Sequence, residues 1–157
     1  TNTLLVDTDL RRGVQHNTFG VPKEPGFSNY LTSTLPLPEI VRETQIPNLS
    51  VVSCGSLIPN PSELLGSHQM QRFLDEVRRR FDLVIIDTPP LNAATDAVVV
   101  GTQVDGTIIV VRAGKTHREI AKQKMELYQH VPAKVMGIIL NGASADLAHE
   151  GYSYYHY

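Results

Sequence analysis

The chain has 157 residues, 41% hydrophobic and 19% charged, which suits one globular domain with a sizeable core and excludes a disordered polyelectrolyte. A formal net charge of −2 gives no electrostatic reason to expect nucleic acid. The single cysteine, Cys54, excludes an internal disulfide and favours a reducing, cytosolic setting, and no apolar run approaches the roughly 20 residues of a membrane span.

In chain order, the first predicted strand covers 3–6 and stops at Asp7. Thr1-Asn2-Thr3 leads into it without a Met or a preceding element, so a piece of a longer protein is expected. Residues 13–48 are broken by Pro22, Pro25, Pro36, Pro38 and Pro47. Only short helices are expected there, around 29–31 and 39–44. This excursion reads either as a lid or partner surface or as a packed irregular connection. Further strands are predicted at 49–53, 82–86, 107–111 and 134–140. Ser67 can cap a helix over 68–81, with Met70, Phe73, Leu74, Val77 and Phe81 as its apolar stripe and Arg78, Arg79 and Arg80 as a solvated last turn. Residues 96–100 read as a short helix. Thr116 can cap another through Tyr128, with Ile120, Met125 and Tyr128 inward. Strands alternating with helices imply βαβ crossovers and a mostly parallel sheet.

Two segments carry chemistry. Leu4-Leu5-Val6-Asp7-Thr8-Asp9-Leu10-Arg11-Arg12 and Leu83-Val84-Ile85-Ile86-Asp87-Thr88-Pro89-Pro90 are both apolar runs that end in Asp. Such runs read as strands buried on both faces of a parallel sheet, and their carboxyl ends are where open α/β sheets bind ligands. Asp7, Asp9 and Asp87 are therefore expected near one crevice. Clustered carboxylates repel unless a cation joins them, and Mg²⁺ shared with nucleotide phosphates is the economical candidate. One carboxylate can reach the metal while its neighbour accepts a hydroxyl proton. Asp87 has the form of a Walker B carboxylate. Asn141, ending the strand Gly137-Ile138-Ile139-Leu140, suits a nucleobase edge or, equally, a turn beside Gly142. Arg112 or Lys115 can approach the same crevice.

Other chemistries find no support. No Gly-x-x-x-x-Gly-Lys-Ser/Thr occurs in these residues, and Gly114-Lys115-Thr116 matches only its last letters. The six histidines lack metal-ligand spacing with one another or with Cys54. No serine lies in a nucleophile elbow. Cys54 reads as a small buried residue. The end of the chain, Gly151-Tyr152-Ser153-Tyr154-Tyr155-His156-Tyr157, has no helical or strand period and reads as an exposed tail.

In order along the chain, these features resemble the bacterial tyrosine kinases, or BY-kinases, of capsule and exopolysaccharide synthesis. Residues 4–12 are similar to that family's Walker A-prime motif. Gly26-Phe27-Ser28-Asn29-Tyr30-Leu31 resembles its Gly-Leu-Ser-x-x-Leu segment, and Pro59-Asn60-Pro61-Ser62-Glu63-Leu64-Leu65 its Asn-Pro-x-Glu-Leu-Leu signature. Residues 81–90 match its Walker B segment, and the terminal tyrosines its autophosphorylated tail.

The resemblance implies an α/β fold of the P-loop NTPase type, in the deviant Walker group, with helices on both faces of the sheet. It implies a kinase domain over 1–150 without its Walker A part, then a tyrosine-rich tail over 151–157. It implies ATP and Mg²⁺, with Asp9 and Asp87 serving the metal and Asp7 or Asp9 helping to deprotonate a tyrosine hydroxyl. Arg112 and Asn141 would serve the nucleotide. Tyr152, Tyr154, Tyr155 and Tyr157 would accept phosphate in trans within a ring of subunits. A membrane adaptor or activator, separate or fused upstream, would hold the protein at the inner face of the cell membrane, and a cognate tyrosine phosphatase would oppose it. The family's Walker A loop and a mid-sheet strand normally precede the A-prime motif, so an upstream segment is expected. A catalytically inactive module presenting the tyrosine tail to a partner is the alternative. A plain partition-type ATPase fits less well, because of the tail and residues 60–65.

Overall fold

The structure is a computed structural model that describes residues 1–91 and 95–143. It divides into two compact units, Thr1–Val100 and Gly101–Tyr157.

The first unit is built on a sheet in the order β2-β3-β1-β4. Strand β1 (Thr3–Asp7) lies between β3 (Leu49–Val52) and β4 (Leu83–Asp87) and runs parallel to both. Its apolar alternation buries Leu4 and Val6 completely. Strand β2 (Val41–Glu43) adds an antiparallel edge to β3. The expected helix over 39–44 is replaced by a 3₁₀ turn at Leu37–Glu39, opened by Pro38 in its first turn, followed by this edge strand. Burying Leu37 and Ile40 fixes the turn, and pairing with β3 then satisfies the backbone that follows.

The connection after β1 is packed. Helix α1 (Gln15–Phe19) is followed by α2 (Phe27–Thr32), whose Phe27, Tyr30 and Leu31 enter the core. Helix α4 (His68–Arg80) begins as its sequence dictates: Ser67 Oγ accepts from the Met70 N–H at 3.3 Å. Met70, Phe73, Leu74 and Val77 form its buried stripe, and Phe81 caps the helix only half-buried. Phe73 receives Phe27 and Tyr30 edge-on, with ring centroids 4.8 and 5.4 Å away. The arginines of the last turn are exposed as expected, and Arg80 also pairs with Glu76 at 2.8 Å. Helix α3 (Pro61–Leu65) has Pro61 at its first position and Leu65 fully buried. Helix α5 (Asp96–Gly101) follows β4.

The second unit pairs β5 (Thr107–Arg112) in parallel with β6 (Val135–Asn141), joined by α6 (Arg118–Gln129). His117, not Thr116, stands at the N-cap of α6, and Thr116 Oγ1 instead accepts from the Arg112 N–H at 2.8 Å. Tyr128 is buried, but Ile120 is 48% exposed, so the inward face of α6 is narrower than its sequence suggests.

The expectation that the two Asp-terminated strands are buried on both faces holds in part for β1, where Leu4 and Val6 are buried and Leu5 half-buried, and fails for β4, while β3 buries both Val51 and Val52. Leu83 and Ile85 on β4 are each 47% exposed, and β6 is exposed along its length. An apolar run records what a strand would bury, not whether a partner lies over it. No helix among the described residues is long and apolar enough to cross a membrane.

Candidate functional site

The parallel ladder of β1 on β4 runs Thr3↔Leu83 through Val6↔Ile86 and ends on Asp7↔Asp87. The two aspartates are therefore neighbours at the carboxyl edge of the first sheet, in the position expected from their motifs. Thr8 locks that edge, donating from its N–H at 2.9 Å and its Oγ1 at 2.7 Å to the Asp87 carbonyl.

Beyond Thr8 the chain folds into a tight loop around carboxylates. Asp9 Oδ1 accepts the N–H groups of Arg11 and Arg12 at 3.1 and 2.9 Å. Asp7 Oδ1 accepts the Asp9 N–H at 3.1 Å, and Asp7 Oδ2 the Gln15 N–H at 3.0 Å. Gln15 also donates its side-chain amide to Asp87 Oδ2 at 2.6 Å, so one residue spans both strand-end aspartates. The loop can close over Asp7 because residue 13 is Gly. A Cβ there would lie 2.6 Å from both Asp7 Oδ2 and the Cys54 Cβ.

Asp7 is fully buried. Burial pushes its carboxyl above the usual range, and the charges of Asp87 and Asp9 push the same way, against the pull of the Gln15 and Asp9 N–H groups. Burial likewise pushes the Cys54 thiol up, with Asp7 adding to it, and Cys54 is buried as a small packing residue.

A second cluster braces the loop from outside. Asp96 is completely buried and accepts Arg11 Nε at 3.0 Å, a second Arg11 nitrogen at 3.4 Å, and the Ser62 hydroxyl in a short hydrogen bond. Burial acts to raise the Asp96 carboxyl, but the Arg11 and Ser62 hydrogen bonds and the Arg11 charge outweigh it and hold it below the usual range. Ser62 lies in the Asn60–Leu65 signature, which is thus tied to the aspartate loop.

The Gly26-Phe27-Ser28 segment docks on the end of β3. The Phe27 N–H donates to the Ser53 carbonyl at 2.7 Å and the Ser28 N–H to the Cys54 carbonyl at 2.9 Å. Sequence reasoning identified Asp7, Asp9 and Asp87 but not Thr8, Gln15, Ser62 or Asp96. Thr8 and Ser62 carried a signal only as members of their motifs, and Gln15 and Asp96 carried none for the site.

Arg112 and Asn141 are register partners at the carboxyl end of β5 and β6, and both are exposed. They belong to the second unit. Tyr152, Tyr154, Tyr155 and Tyr157 lie outside the described residues.

The carboxylates suit a hard cation. Asp7 and Asp87 are adjacent, mutually repelling oxygen donors, and Asp7 is buried without a cationic partner at its own oxygens. Among the described residues no three His, Cys, Asp or Glu side chains form a ready-made metal cage. Asp7, Asp9 and Asp87 thus do not make a cage by themselves, and a Mg²⁺ ion, which commonly takes one or two carboxylates, would complete its octahedron with phosphate and water.

No family model matches the chain. Among curated proteins it is 34% identical over 155 residues to the putative tyrosine-protein kinase CapB of Staphylococcus aureus, covering 99% of this chain and 67% of that protein. It is 38% identical over 151 residues to the tyrosine-protein kinase etk of Escherichia coli K12, covering 96% of this chain but 21% of that protein. The chain thus spans about two thirds of the shorter relatives and about a fifth of the longer ones. Among solved structures, the kinase domain of E. coli ETK superposes with a TM-score of 0.86 at 37% identity, over 90% of this chain and 56% of that one. The septum site-determining protein MinD of Pyrococcus horikoshii, complexed with Mg-ADP, shares the fold at a TM-score of 0.67 and 20% identity, over 92% of this chain and 60% of that one. With its mostly parallel P-loop NTPase-type sheet and its A-prime and B aspartates paired in register, the chain belongs to the bacterial tyrosine kinases of capsule and exopolysaccharide synthesis.

Proposed function

We propose that the protein is an ATP- and Mg²⁺-dependent tyrosine autokinase that regulates capsular or exopolysaccharide synthesis and export. The observation that carries this reading is the in-register pairing of Asp7 with Asp87, with Asp9 held two residues beyond. Asp9 and Asp87 would hold Mg²⁺, which when bound with ATP supplies charge neutralisation for phosphoryl transfer. Asp7 or Asp9 takes the proton from the attacking tyrosine hydroxyl. Asp7 is the better placed of the two as base, because burial raises its carboxyl and the neighbouring carboxylates Asp87 and Asp9 add to that. Gln15 and Thr8 hold the two strand ends in place. Arg112 and Asn141 are proposed to contact the nucleotide.

In this reading residues 1–150 act as one kinase domain and 151–157 as its acceptor tail. Tyr152, Tyr154, Tyr155 and Tyr157 receive phosphate from a neighbouring subunit of a ring. Each phosphate adds about −1.5 to −2 charges, so a multiply phosphorylated tail is repelled by the aspartates of the receiving site and the ring comes apart. A membrane adaptor or activator holds the assembly at the inner face of the cell membrane, and a tyrosine phosphatase resets it.

The test mixes two forms of the kinase. One carries Asp7→Asn and an intact tail, and the other has an intact site and Phe at all four tail tyrosines. Phosphate is expected on the Asp7→Asn subunits by mass spectrometry, with assemblies shrinking in sedimentation. Phosphate absent from those subunits would refute transfer in trans. Phosphate present with unchanged assembly size would refute the switch.

A further inference from the structure

We propose that Asp96 is a positioning residue that sets the orientation of Asp9 through Arg11. The inference rests on the reading of Asp9 as a site residue but uses contacts that reading does not require.

Three observations carry it. Asp96 is completely buried at the start of α5, where an unpaired carboxylate would be costly, so its partners are obligatory. Those partners come from two different places: Arg11 from the loop after β1, through two guanidinium nitrogens, and Ser62 from α3. Finally, the hydrogen bond from Arg11 to Asp9 is made by its backbone, whose N–H donates to Asp9 Oδ1 beside that of Arg12, and the charge of Asp9 acts on the guanidinium less than Asp96 does. Anchoring the Arg11 side chain therefore fixes a backbone donor that aims the Asp9 carboxylate. A forked guanidinium held by a carboxylate transmits direction as well as charge. Ser62 adds a third hydrogen bond to the same carboxylate and makes α3 part of the brace. Arg11 is itself about half exposed, so without Asp96 nothing else described would hold its side chain.

The primary test does not depend on kinase activity. Amide exchange is measured by NMR on the 157-residue chain as wild type, Asp96→Asn and Ser62→Ala. In Asp96→Asn, exchange at Arg11 and Arg12 should accelerate by roughly tenfold or more, since the opening cost of those two amides falls. Exchange at Leu4 and Val6 in β1 should not change. Ser62→Ala, which removes one contact and no charge, should move the same two amides less. Unchanged exchange at Arg11 and Arg12 overturns the proposal, as does equal acceleration in β1, which would mark general destabilisation.

A second arm uses tyrosine phosphorylation by the kinase. Asp96→Asn should lower kcat roughly 10- to 100-fold while the KM for ATP stays within about threefold. Combined with Arg11→Gln it should be no worse than the weaker single variant. Losses that multiply would show that Asp96 acts independently of Arg11 and overturn the proposal. Accelerated exchange in Asp96→Asn, together with a wild type that makes no phosphotyrosine, would leave the brace standing and remove the kinase reading instead.

Discussion

At Asp7 two requirements conflict. Burial and two neighbouring carboxylates push it toward the protonated form, while two backbone N–H groups favour the carboxylate. An amide at this position keeps the shape, cannot take a proton at neutral pH, and turns an NH₂ group toward one of those N–H donors. Asp7→Asn is therefore expected to lower tyrosine phosphorylation about 10²- to 10⁴-fold, with a much smaller change in nucleotide affinity. Phosphotyrosine by mass spectrometry and calorimetry with Mg·ATP measure the two effects. Asp96 has the opposite sign, because its folded carboxyl lies below its unfolded value. The stability it contributes is fully present above the unfolded value near about 3.9 and is lost as pH falls through the lower folded value. Thermal unfolding of the wild type should therefore fall off more steeply than that of Asp96→Asn on the acid side of about pH 4.

Among the elements, α4 and the loop after β1 show what the sequence makes legible. The α4 stripe and its Ser67 cap follow from a 3.6-residue period and a hydroxyl placed just before it, and both appear as expected. Phe73 joins that stripe to Phe27 and Tyr30, so Phe73→Ala should cost about 3–5 kcal/mol in urea unfolding. Five strands were legible because an apolar run ending in a charge or a turn marks a strand end. Strand β2 was not, because Val41-Arg42-Glu43 carries a single β-branched residue and becomes a strand only where β3 offers an edge. The aspartates of the site were legible for the same reason as the strands they end. Thr8, Gln15 and Asp96 were not, since their roles depend on partners 79, 72 and 85 positions away. Gly13 also gave no local sign of its function. Gly13→Ala should displace the loop and cost about 1–3 kcal/mol, with the Arg11 and Arg12 amides exchanging faster.

For the whole chain, the phosphate grip decides how tightly a nucleotide is held. The 157 residues hold carboxylates suited to a cation but no glycine-rich run whose N–H groups would cradle phosphate. Calorimetry on this chain should give a Kd for Mg·ATP weaker than about 1 mM, an affinity of about −4 kcal/mol. Tight binding would place the grip elsewhere in these residues. The pairing of β1 with β4 has a further consequence for how such a chain can vary. The distance between Asp7 and Asp87 is fixed by counting residues along two parallel ladders, not by the identity of the residues counted. Ile85→Val should therefore be nearly silent, below about 1 kcal/mol. Deleting one residue from Leu83-Val84-Ile85-Ile86 would move Asp87 out of step with Asp7 and turn its side chain to the opposite face of the sheet. Variation along this strand is then free in spelling and closed in length, so lineages can drift through many aliphatic sequences here but not through insertions or deletions.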